Sequence, residues 1–260
     1  MKAGQQATVE ESNHVKNTQQ ADQFRESVTV LITKTNGQPI GSGVLVEKKT
    51  RGYWVATNRH VVGEQNEVCI VTSSSKPTIS LVEPPTESEI GKVIDLAFVW
   101  LPAEETDTIN VANLKEGKST AEDLPVVIST GYPIAVAGKD DPEYSERTGL
   151  LVPLLKTPIE DGLDLTYTAT VDKGMSGGGI FIGSELIGIN SAHRDPLWQG
   201  RWLDANGNEV NQQLNKKLDQ VSLGISFNKI RENLKSITIP SQSKNSGTEK
   251  KQCFHNTDKH

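Results

Sequence analysis

Short runs of β-branched and aromatic residues, separated by turn residues, constrain the fold of this chain of 260 residues more than any other feature. Examples lie at residues 28–32, 68–71, 124–128 and 165–167. Such runs are typical of strands in antiparallel barrels, because alternating βαβ units would need helical segments between them. The one clear helical pattern comes late, where Phe227, Ile230 and Leu234 share a face. The sequence therefore predicts an all-β fold with a C-terminal helix at about residues 227–236.

The ends of the chain differ in composition from its middle. Residues 1–22 are polar and lack an apolar run, and residues 241–260 are rich in Ser, Lys and Asn. Segments of this kind bury too little apolar surface to fold alone. Because a β barrel of this size often forms one domain, we expect a disordered arm at 1–22, one folded domain at 23–240 and a disordered tail at 241–260.

A glycine-rich segment, Gly174-Met175-Ser176-Gly177-Gly178, precedes an apolar run. A serine hydroxyl is a poor nucleophile unless a base removes its proton and fixed donors receive the charge on the attacked oxygen. The glycines allow a tight turn that directs backbone N–H groups at that oxygen. The alternative is a glycine-rich turn that contains a serine by chance.

A base and an acid lie upstream in apolar surroundings. His60 lies in the run at residues 54–62, and Asp95 lies inside the apolar run at residues 93–101. A carboxylate in such a run is costly unless it is paired, and an imidazole that it orients would supply the partner. Taken singly, a core histidine and a turn carboxylate are the alternatives. All three residue types in the order His, Asp, Ser favour a nucleophilic hydrolase.

Six blocks of the sequence resemble a known family. They lie at residues 41–46, 57–62, 95–99, 174–179, 185–192 and 223–227. At these blocks the chain resembles the trypsin-like serine proteases of the chymotrypsin fold, most closely their bacterial HtrA-type branch. The resemblance implies two six-stranded antiparallel Greek-key barrels, at about residues 23–115 and 120–226. HtrA-type enzymes usually carry a PDZ domain after the protease, and we expect none here because the chain has no room for one.

The resemblance also implies roles for individual residues. Ser176 would be the nucleophile, His60 its base, and Asp95 the group that orients the imidazole. The backbone N–H groups of Gly174 and Ser176 would form the oxyanion hole. Ser191 would hydrogen-bond Asp95. The expected activity is that of a serine endopeptidase acting through an acyl-enzyme, with a polypeptide as the substrate.

The resemblance further implies where a substrate binds. The strand Ser191-Ala192-His193 would pair with extended substrate backbone. The specificity pocket would be lined by Thr170, six residues before the nucleophile, with His193 and Ser226. Since none of these carries a carboxylate, we expect no tryptic specificity. A protonated His193 would favour an acidic or small polar substrate side chain, and the alternative is a His193 that points to solvent.

One departure from the trypsin pattern concerns activation. Trypsin-type enzymes have an aspartate directly before the nucleophile, and it captures a new N-terminal amine after zymogen cleavage. This chain has Met175 at that position. A thioether cannot bind an ammonium group, so we expect no such switch.

Charge and composition narrow the classes of partner. The net charge is −6, and no basic patch indicates nucleic-acid binding. No segment approaches the roughly 20 apolar residues of a membrane span, and we expect neither a bound metal ion nor a cofactor. With no leader visible, we expect a cytoplasmic location. The sequence leaves the oligomeric state open.

The two cysteines lie far apart in the sequence. Cys69 falls in a predicted strand and Cys253 in the predicted tail. Two cysteines so placed do not indicate a disulfide framework. Their presence as free thiols would fit a reducing compartment.

Residues 194–220 lie between the last two predicted core strands as an insertion, which contains Trp198 and Trp202. Asn206-Gly207 within it predicts a hairpin turn. A calcium loop that starts at Asp204 is the alternative, although the glycine position does not fit an EF-hand.

Other classes of protein fit less well. An α/β-hydrolase esterase also has Gly-x-Ser-x-Gly, but it needs its Asp and His after the serine and helices between strands. A purely structural module would leave the buried charge of Asp95 without a partner. A protease-like module that binds peptides without cutting them is the main alternative function.

Overall fold

The computed structural model describes most of the chain. The described residues are 17–83, 94–104, 107–118, 120, 122–134, 141–192, 200–240 and 252–254. They form two antiparallel β-sheets with four short helices. Within these ranges no helix combines the length and the hydropathy that a membrane crossing requires.

Barrel one, as we call the first sheet, contains six strands and is closed. Its strands pair in the order β1-β2-β3-β6-β5-β4, and β4 returns to β1. The strands are β1 Thr29–Thr33, β2 Pro39–Lys49, β3 Gly52–Thr57, β4 Glu67–Val71, β5 Thr78–Val82 and β6 Ala97–Pro102. A four-residue helix, α2 Arg59–Val62, follows β3. The predicted six-stranded barrel is confirmed for this half of the chain.

Barrel two follows the order β10-β13-β12-β11-β8-β9. Its strands are β7 Asn113–Leu114, β8 Val126–Gly131, β9 Ser145–Leu150, β10 Leu165–Tyr167, β11 Gly179–Ile182, β12 Glu185–Ala192 and β13 Ser222–Ser226. An antiparallel bridge between Leu151 and Tyr167 joins the two ends of this order. The two-residue β7 adds to β12 in parallel. The predicted boundary of barrel one at residue 115 is therefore a few residues too late, because β7 already belongs to barrel two.

Two neighbouring strands of barrel one, β3 and β6, are apolar along their length and do not alternate between apolar and polar residues. Every residue of β3 is buried. Tyr53 and Val55 face the interior of barrel one, whereas Trp54 and Ala56 pack in a second cluster with residues of barrel two. β6 is divided in the same way. Val99 faces the interior of barrel one, and the aromatic residues on either side of it belong to the cluster shared with barrel two. A strand buried on both faces reads as a continuous apolar run.

The shared cluster fixes the two barrels against each other. Trp54 of barrel one belongs to the same cluster of buried residues as Phe181 and Ile189 of barrel two. The Trp54 ring meets the Phe98 ring edge-on, with centroids 6.4 Å apart. Side chains that lie between the barrels thus form one hydrophobic core.

Helices flank the barrels. α1 spans residues 17–28, α3 Gln212–Leu218 and α4 Phe227–Leu234. The predicted C-terminal helix is confirmed as α4. The expectation of a disordered arm at 1–22 is wrong for residues 17–22, which are helical, and residues 1–16 lie outside the described residues.

A buried arginine explains why α1 is ordered despite its polar sequence. Arg25 is 4% exposed. Its Nε and Nη2 each donate to the Glu146 carboxylate on β9 at 2.9 Å, and its Nη1 donates to Gly183 O at 2.7 Å. A guanidinium that is buried with a bidentate partner holds an element in one orientation. The sequence pattern missed α1 because the helix docks through this ion pair as well as through apolar side chains.

The insertion between β12 and β13 contains the predicted hairpin. Asp204 N donates to Asn208 O at 2.7 Å, and Gly207 has a φ of 82°. Asp204 Oδ1 accepts the N–H groups of Asn206 and Asn208 at 2.8 and 2.9 Å, as in an Asx turn. Trp202 packs against the core, while Trp198 lies outside the described residues. No cluster that could hold a metal ion occurs among the residues placed by the structure.

The cysteines form a disulfide, which the sequence analysis did not predict. Cys69 on β4 is bonded to Cys253, with the Cα atoms 6.0 Å apart across a sequence separation of 184 residues. Phe254 N also donates to Thr35 O at 3.2 Å. The expectation of a disordered tail is therefore wrong for residues 252–254. The argument for a reducing compartment from free thiols loses its basis.

We expect the disulfide to contribute measurably to the free energy of unfolding. Cross-linking residues so far apart removes conformational freedom from the unfolded chain, and loss of such a bond typically costs about 2–5 kcal/mol. We expect Cys253→Ser to lower the free energy of unfolding by that amount in urea denaturation. A reducing agent should destabilise the unsubstituted protein equally and leave Cys253→Ser unchanged. Equal unfolding midpoints in both proteins would contradict the prediction.

Candidate active site

His60 and Asp95 meet at the edge of barrel one. His60 lies on α2, directly after β3, and Asp95 lies just before β6, the strand that pairs with β3. His60 Nδ1 is 2.8 Å from Asp95 Oδ2, and His60 N donates to Asp95 Oδ1 at 3.0 Å. The carboxylate is buried while half of the imidazole surface is exposed. The acid thus orients a ring whose other side faces the solvent.

The backbone of Asp95 is also fixed. Asn58 Nδ2 donates to Asp95 O at 2.9 Å, and Asp95 N donates to Asp161 O at 2.9 Å. Asp161 lies in a 3₁₀ turn of barrel two, Glu160–Gly162. Both barrels therefore hold this aspartate in place.

Ser191 links the pair to Ser176. Ser191 Oγ donates to Asp95 Oδ2, which is the hydrogen bond that the sequence analysis expected. Ser176 Oγ donates to Ser191 O at 3.5 Å. Ser176 Oγ and the His60 ring, both described by the structure, share no direct hydrogen bond. Such contacts are often long in free enzymes and shorten when substrate binds.

The turn that carries Ser176 is fixed by hydrogen bonds to its backbone carbonyl groups. Gly174 O accepts a hydrogen bond from Ser42 Oγ at 2.7 Å, and Ser176 O accepts one from Ser42 N at 2.9 Å. Between them, Met175 O accepts from Asn190 Nδ2 at 3.2 Å and from Gly178 N at 3.0 Å. Three successive carbonyl groups thus have fixed directions.

Two N–H groups of the same turn remain available. Met175 N donates to Asp172 O at 3.0 Å and Gly177 N to Asn190 O at 2.9 Å. The N–H groups of Gly174 and Ser176 donate to no residue that the structure describes. These are the two donors that the sequence analysis assigned to an oxyanion hole. A φ of 96° at Gly174 and of 82° at Gly177 explains why glycine occupies both positions.

The sequence profile of the trypsin-like peptidase domain matches residues 41–189, which is more than half of the chain. The chain belongs to the trypsin-like peptidase family. The description of this family names a peptidase domain, and peptidases are hydrolases of peptide bonds.

Solved structures show the same fold. The HtrA-type protease AlgW, in complex with a tripeptide, is similar to this trypsin-like peptidase with a TM-score of 0.59 and 18% sequence identity, over 84% of this chain and 62% of AlgW. The serine endoprotease from Yersinia pestis has a TM-score of 0.56 and 16% identity, over 84% of this chain and 65% of its own. The chain thus spans less than two thirds of the length of these structures. Among the curated proteins, none matches the chain.

A buried amide supports the turn that carries Ser176 in this trypsin-like peptidase. Asn190 on β12 is fully buried. Its Oδ1 accepts from Ser129 Oγ at 2.9 Å and from Tyr167 OH at 2.8 Å, and its Nδ2 also donates to Thr130 O at 2.9 Å. Sequence reasoning assigned no role to Asn190, although this residue lies in one of the blocks that carry the family resemblance.

The predicted substrate-binding residues do not all come together. Thr170 is half-buried, Ala192 ends β12 opposite Leu223, and His193 lies outside the described residues. Ser226 pairs with Gly188, at the other end of the β12–β13 ladder. With about 3.3 Å per strand residue, Ser226 is roughly 10 Å from the level of Ala192.

Ser226 has a structural partner, so its assignment to the pocket is wrong. Its N–H and Oγ donate to the two carboxylate oxygens of Asp164 at 2.7 Å each, at the start of α4. Burial raises the pKa of Asp164, although these hydrogen bonds act to lower it. On β13, Ser222 is the serine nearest to the Thr170 segment, because its Oγ donates to Ala169 O at 2.8 Å.

A cavity of about 440 Å³ opens beside the imidazole. Its lining consists of Arg59, His60, Gly63, Glu64, Asp95 and Asp161. Asp161 has a φ of 57°, a backbone conformation that is uncommon for residues other than glycine. Burial, with the nearby charge of Asp95, raises the pKa of Asp161. Sequence reasoning missed this residue because its nearness to Asp95 depends on how the barrels meet.

The buried amide predicts an effect on stability. Replacing Asn190 by leucine keeps a similar volume but leaves Ser129 Oγ, Tyr167 OH and Met175 O without this partner. Because buried polar groups without a partner cost about 1–3 kcal/mol each, we expect Asn190→Leu to lower the free energy of unfolding by about 2–5 kcal/mol in urea denaturation. The same substitution at the exposed Asn66 should change it by less than about 0.5 kcal/mol. Equal effects of the two substitutions would contradict the prediction.

Proposed function

We propose that this protein is a serine endopeptidase that hydrolyses peptide bonds through a Ser176-His60-Asp95 triad and an acyl-enzyme. One observation carries the proposal. Ser191 hydrogen-bonds the carboxylate of Asp95 through its Oγ and the hydroxyl of Ser176 through its carbonyl group. Residues that are distant in the sequence therefore converge on one strand end, with the imidazole bound to the same carboxylate.

The proposed reaction begins with the hydroxyl of Ser176. Its Oγ attacks the peptide carbonyl carbon while His60 Nε2 takes the proton. Asp95 accepts the hydrogen bond of Nδ1–H, which keeps Nε2 free to act as the base and stabilises the imidazolium. His60 then gives the proton to the leaving amine, and an ester to Ser176 remains. Water, activated by the same imidazole, releases the second product.

The charge that develops on the substrate oxygen needs donors that are already in position. The unpaired N–H groups of Gly174 and Ser176 are suited to this role, since the carbonyl groups around them are held by other residues. Loss of one such donor typically costs about 100- to 1,000-fold in rate. The geometry therefore supports an enzyme that stabilises a tetrahedral intermediate.

The substrate would bind as an extended strand beside Ser191 and Ala192. Ala192 is the last residue of β12. Thr170 takes the place at which trypsin has a carboxylate in its pocket. The proposed specificity is therefore not tryptic.

A peptide-binding module without catalysis is the second candidate. It is favoured by one observation, the lack of a direct hydrogen bond between Ser176 Oγ and the His60 ring. Reaction with an alkyl fluorophosphonate distinguishes the two functions, because only an activated serine displaces fluoride from phosphorus.

Substitution of the nucleophile tests the catalytic role. We expect the unsubstituted protein to cleave denatured casein and to be labelled at Ser176 by a fluorophosphonate. Ser176→Ala should lower both rates at least about 1,000-fold, because the remaining groups supply no nucleophile. Its melting temperature should stay within about 2 °C, as expected for a half-buried hydroxyl. The control variant, Ser74→Ala at an exposed serine, should retain both activities.

Cleavage mapping tests the specificity. We expect digestion of a denatured proteome, followed by mass spectrometry of the new termini, to show no enrichment of Lys or Arg before the cut. The physical reason is that Thr170 offers no negative charge to a cationic side chain. A strong preference for cutting after Lys or Arg would place a carboxylate in the pocket and overturn the assignment of Thr170.

A further inference from the structure

Ser42 lies where barrel one touches the nucleophile turn of barrel two. It is on β2 and fully buried. Its Oγ donates to Gly174 O at 2.7 Å and accepts from Tyr132 N at 2.9 Å. Its N–H donates to Ser176 O at 2.9 Å, and Thr57 Oγ1 donates to its carbonyl oxygen at 2.7 Å. Every polar atom of this serine therefore has a partner.

The close approach of Ser42 to the turn depends on glycine. A Cβ atom at Gly177 would lie 2.2 Å from Ser42 O and 2.3 Å from Thr57 Oγ1. A Cβ atom at Gly41 would lie 2.6 Å from a methyl group of Val61 and 3.3 Å from Ser176 O. Since neither contact leaves room for a side chain, the two backbones are packed directly against each other.

Ser42 fixes the orientation of two peptide groups in the turn. A trans peptide is planar, so its C=O and N–H point in opposite directions. Ser42 Oγ holds Gly174 O, while the N–H of the same peptide, that of Met175, donates to Asp172 O at 3.0 Å. Ser42 N holds Ser176 O, and the next N–H, that of Gly177, donates to Asn190 O. The peptide that presents Ser176 N–H lies between these two fixed groups.

We propose that Ser42 is a positioning residue of the oxyanion hole. Its hydroxyl prevents rotation of the Gly174–Met175 peptide, which the glycine at 174 would otherwise allow. This peptide lies between the peptide that carries Gly174 N–H and the one that carries Ser176 N–H. By fixing it, Ser42 keeps both N–H groups directed at the position of the substrate oxygen. The role goes beyond packing, because the Ser42 hydroxyl determines the direction of the N–H groups of Gly174 and Ser176. This inference rests on the proposed function.

The kinetics of an alkyl fluorophosphonate test this role. In this reaction Ser176 Oγ forms a bond to phosphorus, fluoride leaves, the hydroxyl proton passes to His60, and the phosphoryl oxygen occupies the oxyanion hole. We expect Ser42→Ala to lower the maximal labelling rate, kinact, about 10- to 100-fold, less than the loss of a donor itself. The concentration for half-maximal rate, KI, should stay within about twofold, because binding before the reaction does not use the hole.

Two further variants separate the hydrogen bond from packing. Ser42→Cys fills nearly the same space with a weak donor, so we expect a loss of kinact close to that of Ser42→Ala. Ser80→Ala is the matched control, since Ser80 is equally buried in barrel one and its Oγ donates to the carbonyl of Thr78 at 3.1 Å. Its kinact should remain within about twofold of the unsubstituted rate, since removing this buried hydroxyl leaves the nucleophile turn untouched.

The outcomes distinguish this inference from the function on which it rests. If the unsubstituted protein is not labelled at Ser176, both are overturned. If it is labelled and either Ser42 variant reacts as fast as Ser80→Ala, the positioning role alone is overturned. The same conclusion follows if the loss of kinact disappears when rates are expressed per folded protein, measured by circular dichroism at the labelling temperature.

Discussion

The contact between the two barrels is the constraint on which the rest of the structure depends. A shared hydrophobic cluster, with Trp54 on one side and Phe181 on the other, brings β2 and β3 against the turn that carries Ser176. At its edge the two backbones meet directly, since Ser42 N donates to Ser176 O and a Cβ atom at Gly177 would lie 2.2 Å from Ser42 O. Each barrel alone would lack half of the site, since His60 belongs to barrel one and Ser176 to barrel two.

Buried polar groups around the site are almost all paired, and this gives the site its fixed geometry. Asp95 has partners for its carboxylate, its N–H and its carbonyl group, and Asn190 uses both ends of its amide. In a low-dielectric interior, pairing of this kind favours one arrangement, because the alternatives leave buried polar groups without partners. The N–H groups of Gly174 and Ser176 stand out against this background, because they have no acceptor among the described residues.

The sequence predicts those features that depend on local pattern. The Gly-rich segment at Ser176 and the apolar runs around His60 and Asp95 indicate the chemistry without a structure. The partners of Ser42, by contrast, are set by the register and docking of strands far apart in the sequence, which no local pattern contains. The same limit explains the wrong assignment of Ser226, since the ladder places it opposite Gly188 rather than near Ala192.

Each end of the described chain is bonded to the barrel that is farther from it in the sequence. α1 leads into β1 of barrel one, yet its Arg25 is bound to Glu146 of barrel two. The segment at Cys253 follows barrel two, yet its disulfide joins it to Cys69 of barrel one. A relative rotation of the barrels would strain the ion pair between Arg25 and Glu146. Because His60 and Ser176 are divided between the barrels, this ion pair stabilises the geometry of the candidate site as well as the fold.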